Sequence, residues 1–429
     1  MRRMVSIVSL PAVRRWLLVA LIVRLLFVSL LSGDRYYFSD ARHYDQGAKQ
    51  ILDTGGLTSR YERPPLYAYL LAGVYAITGP SFTAARVADA LLSTLLCLLI
   101  FVLARHMFAE RTARWALALS ALYPHFILLC GLIYPTNLFT FLLTAAIAAL
   151  IMVKPLLPRA LLSGVLLATA ALAVPAAIFV LPVFLISLAV IPKTAGRKFS
   201  AVTLFLLAYA LVLTPWTMRN YRLYGRFVWV QFVPNTVLPD FNDLDNRETE
   251  VINGFPSTTD YKNHNPHGSE EDRLDRLALR YIKHPVKTLT YALSEMGHFW
   301  ALYPDRLNTL DHDYRRSAHQ ADPRMSLNGE RMWPLVPLLS SLVMAPIFIF
   351  SLVGFWFSRS IRSSSHWIFF GVLAFMTLGY SMITAEVRYR IPVEPCLLVF
   401  TALGMQMCWR QLVTQKSRRS EKKSSVPVC

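Results

Sequence analysis

Two short polar stretches directly behind the first apolar run of the chain carry residue types suited to acid-base and phosphate chemistry. "SDARHYDQGAKQIL" at 39–52 contains Asp40, and "YERPPLY" at 61–67 contains Glu62 and Arg63. A carboxylate can take a proton from an acceptor hydroxyl, and a guanidinium can bind a phosphate through two parallel hydrogen bonds. Together these residues indicate a reaction on a phosphate compound.

Helical spacing limits which residues of the first stretch can act together. Asp40 and Asp45 are five positions apart, so on a helix they point about 140° apart and do not form a catalytic pair. His43 and Tyr44 follow Asp40 by three and four positions and share its face. A second reading, in which Asp40 is an ordinary helix N-cap carboxylate, stays open.

The elements that must position these residues are membrane helices. The chain has 429 residues, of which 55% are hydrophobic and 16% charged, and its mean hydropathy is +0.41. Apolar runs long enough to cross a bilayer, about 20 residues each, recur along it. The sequence predicts an all-α polytopic membrane protein with about ten spans, near residues 16–32, 85–104, 115–133, 135–153, 160–174, 177–192, 200–218, 334–357, 366–384 and 391–409.

The net charge of +18 would suit a nucleic-acid-binding protein, but its distribution indicates a membrane topology. Lys and Arg cluster in alternate loops, including 105–114, 193–198 and the C-terminal tail, while the short loops around 130–137 and 174–177 have none. The positive-inside rule then predicts cytoplasmic N and C termini. We expect a multi-pass protein of the bacterial inner membrane that binds no nucleic acid.

Four regions follow from this topology. Residues 1–218 form an N-terminal transmembrane module, which includes a catalytic outer loop at 33–84 with two interfacial helices. Residues 219–333 form an outer, periplasmic loop with amphipathic helices, residues 334–410 the last transmembrane helices, and residues 411–429 a basic cytoplasmic tail. Besides the first outer loop, the outer side gathers a further set of polar residues: Tyr134, Asn137, Arg219, Asn220, Glu386, Arg388, Tyr389 and Arg390.

Four motifs in order along the chain resemble the membrane glycosyltransferases of the C-type fold (GT-C). The first two motifs are the two outer-loop stretches. The third is "LTPWTMRNYRLYGRF" at 213–227, and the fourth is "AEVRYRIPVEPCLLV" at 385–399. The resemblance is to glycosyltransferase family 39 relatives, namely the bacterial relatives of protein mannosyltransferases and of the aminoarabinose transferase that modifies lipid A. It implies a GT-C-type helical bundle.

The resemblance also implies roles for individual residues. Asp40 matches the catalytic base, with Tyr44 in the adjacent helical position. Glu62 matches an acceptor-binding or metal-binding carboxylate and Arg63 a ligand of the polyprenyl phosphate. Arg219 is a second phosphate contact, with Arg388 and Arg390 as further candidates. Supporting positions are His43, Tyr44, Asn137 and Tyr389.

One departure concerns a metal. Relatives often have an acidic residue at the start of the fourth span, where this chain has Asn137 in "IYPTNLF". Because an amide is a poor divalent-cation ligand beside a carboxylate, we assign no metal ligand, although a divalent metal stays open. Asp40 and Glu62 are then the predicted catalytic residues. The five cysteines show no disulfide or zinc spacing.

The predicted function is transfer of a hexose or pentose from a polyprenyl-phosphate donor, with inversion, at the outer face of the inner membrane. The acceptor is lipid A, a polysaccharide or a protein. Three alternatives stay open. The arginines are interfacial anchors beside lipid headgroups, or the chain is a lipid or sugar transporter or flippase, or it is a non-catalytic scaffold in which Asp40 is dispensable.

Overall fold

The computed structural model describes residues 11–31, 33, 35–37, 40–58, 61, 63–190, 195–225, 227–231, 281–303, 335–358 and 364–424. Glu62 and most of the predicted outer loop at 219–333 lie outside these ranges.

The described residues form a bundle of α-helices. In chain order the helices are α1 (Pro11–Ser29), α2 (Ala41–Thr54), α3 (Leu66–Thr78), α4 (Phe82–Met107), α5 (Glu110–Ala121), α6 (Pro124–Leu128), α7 (Thr136–Met152), α8 (Leu156–Ala173), α9 (Leu181–Val190), α10 (Ala195–Tyr224), α11 (Pro285–Phe299), α12 (Leu335–Ser358), α13 (Ser364–Ser381), α14 (Val387–Arg390) and α15 (Glu394–Ser424). Short 3₁₀ turns occupy Leu129–Gly131, Pro175–Val180 and Ile391–Val393. The predicted all-α polytopic class is confirmed.

The described residues of the ten predicted spans lie mostly in helices. Within the described ranges, five helices are long and apolar enough to cross a membrane by length and composition, namely Phe82–Met107, Leu156–Ala173, Gly196–Tyr224, Pro337–Ser358 and Val387–Val413. The pair Glu110–Ala121 and Pro124–Gly131, bent by 48°, makes a sixth. Thr136–Met152, Pro175–Val190 and His366–Ser381 are shorter apolar helices, and α1 carries three arginines.

A proline divides the long apolar stretch at 160–192. Helix α8 ends at Ala173, Val174 is extended, and the 3₁₀ turn begins at Pro175. The residue before a proline is driven out of the helical region, and proline has no N–H to continue the helix. The break falls between the predicted spans at 160–174 and 177–192.

The segment predicted as the first outer loop contains the two expected helices, α2 and α3, packed against each other. Helix α2 ends at Gly55, whose φ of 75° is the left-handed conformation that glycine adopts most readily. Asp40 occupies the N-cap position, but its side chain makes no capping hydrogen bond. Asp40 thus lies at the predicted N-cap position but does not cap α2 through its side chain.

Arg24 in α1 joins three helices. The fully buried guanidinium donates to Ser93 Oγ at 2.8 Å and to the carbonyl oxygens of Ala20 and Ala121 at 2.9 Å each. A charge inside a helical bundle needs such partners. These contacts make Arg24 a residue of helix packing.

Two glycines allow α12 and α15 to cross closely. A Cβ atom at Gly354 would overlap the carbonyl oxygen of Phe400, and one at Gly404 would overlap that of Phe350. Small residues at a crossing let helix backbones approach and pack in the membrane.

Replacing Gly354 by Ala is expected to destabilise the protein by about 3 kcal/mol, at the upper end of the usual cost of overpacking, because the overlapped atom belongs to the backbone. Thermal unfolding in detergent measures the change. Gly73→Ala is the matched control, since a Cβ there meets no atom within 4 Å. A melting temperature for Gly354→Ala equal to that of the control would contradict the close crossing.

Candidate active site

Asp40 and Arg63 meet in an ion pair. Arg63 Nη2 lies 2.7 Å from Asp40 Oδ1, and the side chains are 28% and 22% exposed, respectively. Asp40 immediately precedes α2, and Arg63 precedes the Pro64-Pro65 pair that leads into α3. The packing of these two helices therefore brings together residues 23 positions apart and leaves both accessible to a substrate.

Tyrosines line this pair on its buried side. Tyr44, one turn after Asp40, is 3% exposed. Its ring meets those of Tyr67 and Tyr134 edge-on, with centroids 5.4 and 6.0 Å apart. Burial raises the pKa of Tyr44 well above its ordinary value, and Tyr134, Tyr61 and Asp40 add to the rise. The Tyr44 hydroxyl thus stays protonated and can donate a hydrogen bond beside Asp40.

Arg388 lies on the same side of the bundle. Its Nε is 2.6 Å from Glu386 Oε2, and its Nη2 donates to the Tyr389 hydroxyl at 3.0 Å. Burial raises the pKa of Tyr134, while Arg388 and Arg63 lower it and Asp40 raises it further. Both arginines and Asp40 therefore act on one tyrosine, so the structure brings Arg388 and Tyr389 to the Asp40 pair.

Arg219, near the end of α10, holds the backbone that leads to Arg63. Its Nε and Nη2 donate to the Leu57 carbonyl at 3.0 and 2.8 Å, and the guanidinium lies 4.4 Å from the centroid of the Trp216 ring. Burial raises the pKa of Tyr61, and Arg63 and Arg219 both act against that rise. The two arginines thus lie near the same buried tyrosine.

Arg390 does not join this group. Its guanidinium is fully buried, and its Nε donates to Glu394 Oε1 at 3.0 Å. Its Nη1 donates to the carbonyl oxygens of Phe299 and Ala301 at 2.9 and 2.7 Å. In place of the phosphate contact expected from the sequence, these contacts attach the end of α11 to the start of α15.

Three other predicted residues have different positions. Asn137 is fully buried and donates to the Asp89 carbonyl at 2.7 Å, so its amide faces α4. His43 is exposed on α2. Glu62 lies outside the described residues, so its predicted role as an acceptor-binding or metal-binding carboxylate is a prediction still.

Asp45, the acidic residue that follows Asp40 in the first polar stretch, is buried and hydrogen-bonded away from the Asp40 pair. Asp45 is 1% exposed and accepts hydrogen bonds from the Tyr36 hydroxyl at 2.7 Å, Lys49 Nζ at 2.7 Å and the Tyr75 hydroxyl at 2.9 Å. Burying a polar group is costly unless it is hydrogen-bonded, and these three donors satisfy the Asp45 carboxyl group. Asp45 and Asp40 therefore have different partners, as their spacing on the helix predicts.

Asp89 is a buried acidic residue that the sequence analysis missed. It lies on α4, is 2% exposed, and accepts from the Tyr67 hydroxyl at 2.6 Å. The signal was present in the sequence, because a carboxylate inside an apolar run of transmembrane length is rare and needs a partner.

The described residues offer few ligands for a metal ion at this site. No group of three or more His, Cys, Asp or Glu side chains that could hold a metal ion occurs among them. Asp40 is paired with Arg63, and Asn137 faces Asp89. We therefore derive no chemical step through a metal.

A family model described as dolichyl-phosphate-mannose-protein mannosyltransferase matches residues 62–218. No curated protein matches the chain significantly.

Several solved structures have the same fold. The apo crystal structure of the Archaeoglobus fulgidus oligosaccharyltransferase is 12% identical, with a TM-score of 0.55 over 97% of this chain and 53% of that one. ArnT from Cupriavidus metallidurans bound to undecaprenyl phosphate is 14% identical, with a TM-score of 0.52 over 92% and 60%. The archaeal oligosaccharyltransferase AglB in complex with an inhibitory peptide and a dolichol-phosphate is 14% identical, with a TM-score of 0.55 over 95% and 52%.

The chain therefore spans about half to three fifths of the length of these proteins. The resemblance to membrane glycosyltransferases drawn from the four motifs is confirmed. The fold is the GT-C-type helical bundle.

Proposed function

We propose that this protein is a glycosyltransferase that moves a sugar from a polyprenyl-phosphate donor to an acceptor at the outer face of a bacterial inner membrane. The observation that carries the proposal is the partly exposed contact between Asp40 and Arg63, a base and a phosphate ligand in one place. Two relatives of the same fold are described in complex with undecaprenyl phosphate and a dolichol-phosphate, which supports a lipid-linked donor.

Arg63 holds the donor phosphate in this mechanism. Only its Nη2 contacts Asp40 among the described residues, and a guanidinium has five N–H donors. The others can grip a phosphate oxygen while the Asp40 contact is kept. Negative charge grows on the phosphate as the bond to the sugar breaks, so a fixed guanidinium stabilises the transition state more than the ground state.

Arg219 and Arg388 extend the positive region around that phosphate. Arg219 is the second proposed phosphate contact, and it also holds the Leu57 carbonyl. Arg388 is paired with Glu386, which lowers its net contribution to the field.

Asp40 removes the proton from the acceptor hydroxyl. The hydroxyl oxygen forms a bond to the anomeric carbon on the face opposite the phosphate, the bond from that carbon to the phosphate oxygen breaks, and the anomeric configuration inverts. The proton stays on Asp40, and the polyprenyl phosphate leaves as an anion. Tyr44 and Tyr134 exclude water from the buried side of the carboxylate, and Glu62 orients the acceptor.

The lipid tail of the donor has a candidate path along α10. A groove of about 360 Å³ lies beside this helix, lined mainly by apolar side chains that include Leu213, Met218, Phe227 and Trp229. Arg222 also lines the groove and follows Arg219 by three positions on α10, so the two arginines share a face and the phosphate end of a tail in the groove would lie near them.

The test is a transfer assay with purified protein in proteoliposomes that contain polyprenyl-phosphate-linked hexoses or pentoses. Acceptors from an envelope fraction, separated into lipid A, polysaccharide and protein, identify the acceptor class. We expect transfer from a polyprenyl-phosphate sugar with inversion of the anomeric centre, read by NMR of the product. Movement of labelled lipid between leaflets without any transfer would contradict the proposal and favour the flippase reading.

A further inference from the structure

Asp89 joins three helices directly beneath the candidate site. It lies on α4, takes a hydrogen bond from Tyr67 on α3, and its backbone carbonyl accepts from Asn137 on α7. The three side chains are each at least 98% buried. Asp89 has no role in the proposed transfer mechanism.

Two oxygen atoms of this cluster lack hydrogen bonds. Asp89 Oδ1 and Asn137 Oδ1 are buried and have no partner among the described residues. The two residues are in direct contact, because Asn137 Nδ2 donates to the Asp89 backbone carbonyl at 2.7 Å. Buried polar atoms without partners are rare, and each one calls for an explanation.

Turning the Asn137 amide over does not remove the problem. The amide has one NH₂ group and one oxygen, and its NH₂ group donates to the Asp89 carbonyl. As placed, Asn137 Oδ1 has no donor among the described residues, and turned over it would face the carbonyl oxygen of Asp89. A single proton on Asp89 Oδ1 would satisfy both unpaired atoms when the acid donates it to Asn137 Oδ1.

A neutral carboxyl also suits the position. An ionised carboxylate without a cationic partner is costly in a bundle at membrane depth. Arg24 on α1 and Arg86 on α4 itself are buried cations of this region. Arg24 is engaged by Ser93 and backbone carbonyls, and Arg86 donates to the Gly131 carbonyl at 3.1 Å.

The cluster connects directly to the site. Tyr67 follows Arg63 by four positions and packs against Tyr44. Asn137 follows Tyr134 by three positions, and Tyr134 packs against Tyr44 from another side. The side chains that Asp89 holds therefore determine where Tyr44 and Arg63 lie relative to Asp40.

We propose that Asp89 is a neutral acid that shares its proton with Asn137 and, by fixing Tyr67 and Asn137, positions the Asp40 and Arg63 pair. The positioning part rests on the proposed transferase function. Asp89 touches no substrate in this account, so it is a positioning residue.

Two substitutions test the proposal. Asp89→Asn cannot ionise, but its amide can donate to Asn137 and its oxygen can accept from Tyr67, so the transfer rate and the melting temperature should stay within about threefold and about 2 °C of wild type. Asp89→Ala removes the Tyr67 bond and the shared proton but keeps the bond from Asn137 to the backbone carbonyl. It should lower the transfer rate tenfold or more, since misplacement of reacting groups by about 1 Å can cost on the order of 100-fold. Thr94→Ala is the control, because that hydroxyl bonds only to the Ala90 carbonyl of its own helix.

The outcomes separate the parts of the proposal. A loss in Asp89→Asn as large as that in Asp89→Ala would overturn proton sharing and favour a bound cation. A normal transfer rate in Asp89→Ala, whatever its melting temperature, would overturn the positioning role. If the wild type transfers no sugar, the proposed function fails and takes the positioning role with it, while the melting temperatures of the two variants still decide the proton sharing.

Discussion

Replacing Asp40 by Asn is expected to lower the transfer rate by about 10²–10⁴-fold, the usual contribution of a positioned general base. The amide has nearly the same shape and can still accept a hydrogen bond from Arg63, so the local geometry is kept. It cannot take the proton from the acceptor. The measurement is the initial rate of transfer from a polyprenyl-phosphate sugar in proteoliposomes, with the acceptor saturating.

Asp53→Asn is the matched control for this prediction. Asp53 lies on the same helix and is exposed, so its substitution changes the charge of α2 equally and removes no proposed base. Its transfer rate should equal that of the wild type. Equal rates for the wild type and both variants would remove Asp40 from the mechanism and favour the scaffold reading.

Replacing Arg63 by Ala is expected to lower the transfer rate by about 10²–10³-fold, because stabilisation of the charge on the leaving phosphate is lost. Arg63→Lys should recover part of that loss, since an ammonium supplies the charge without the planar pair of donors. Arg114→Ala is the control. This arginine is 51% exposed in a pair with Glu110, and it lies on the predicted cytoplasmic side.

The sign of the Arg63 effect separates two roles for this residue. If Arg63 only restrains Asp40, its removal frees the carboxylate and transfer becomes faster. If it binds the donor phosphate, transfer becomes slower in spite of the freed base. A faster Arg63→Ala variant would therefore contradict the proposed phosphate contact, although it would leave Asp40 as the base.

The helices and the meeting of Asp40 with Arg63 could be predicted from the sequence because both depend on strong local signals. Apolar runs, a proline break at Pro175 and a glycine stop at Gly55 set the helix positions. The two chemical motifs flank one short helix, so few arrangements of them are available. Once α2 packs on α3, the two side chains are near each other.

The direction of individual polar side chains could not be predicted. Arg388 and Arg390 are two positions apart in one motif, yet Arg388 interacts with Tyr134 at the site and Arg390 is fully buried against α11. Asn137 appeared in the sequence as an outer-face residue and turns instead towards Asp89. These directions depend on which helices pack together, and that information lies in long-range contacts.

The most direct test of the account is the affinity of the purified protein for a polyprenyl phosphate without sugar, measured by titration for the wild type, Asp40→Asn and Arg63→Ala. Loss of a base and loss of a phosphate ligand should change this affinity differently. Asp40→Asn should bind as tightly as wild type or more tightly, because a negative charge next to Arg63 is removed. Arg63→Ala should bind about tenfold more weakly or worse, as expected for loss of a charged hydrogen bond. Equal affinity for the wild type and Arg63→Ala, or weaker binding by Asp40→Asn, would contradict the assignment of one residue to the proton and the other to the phosphate.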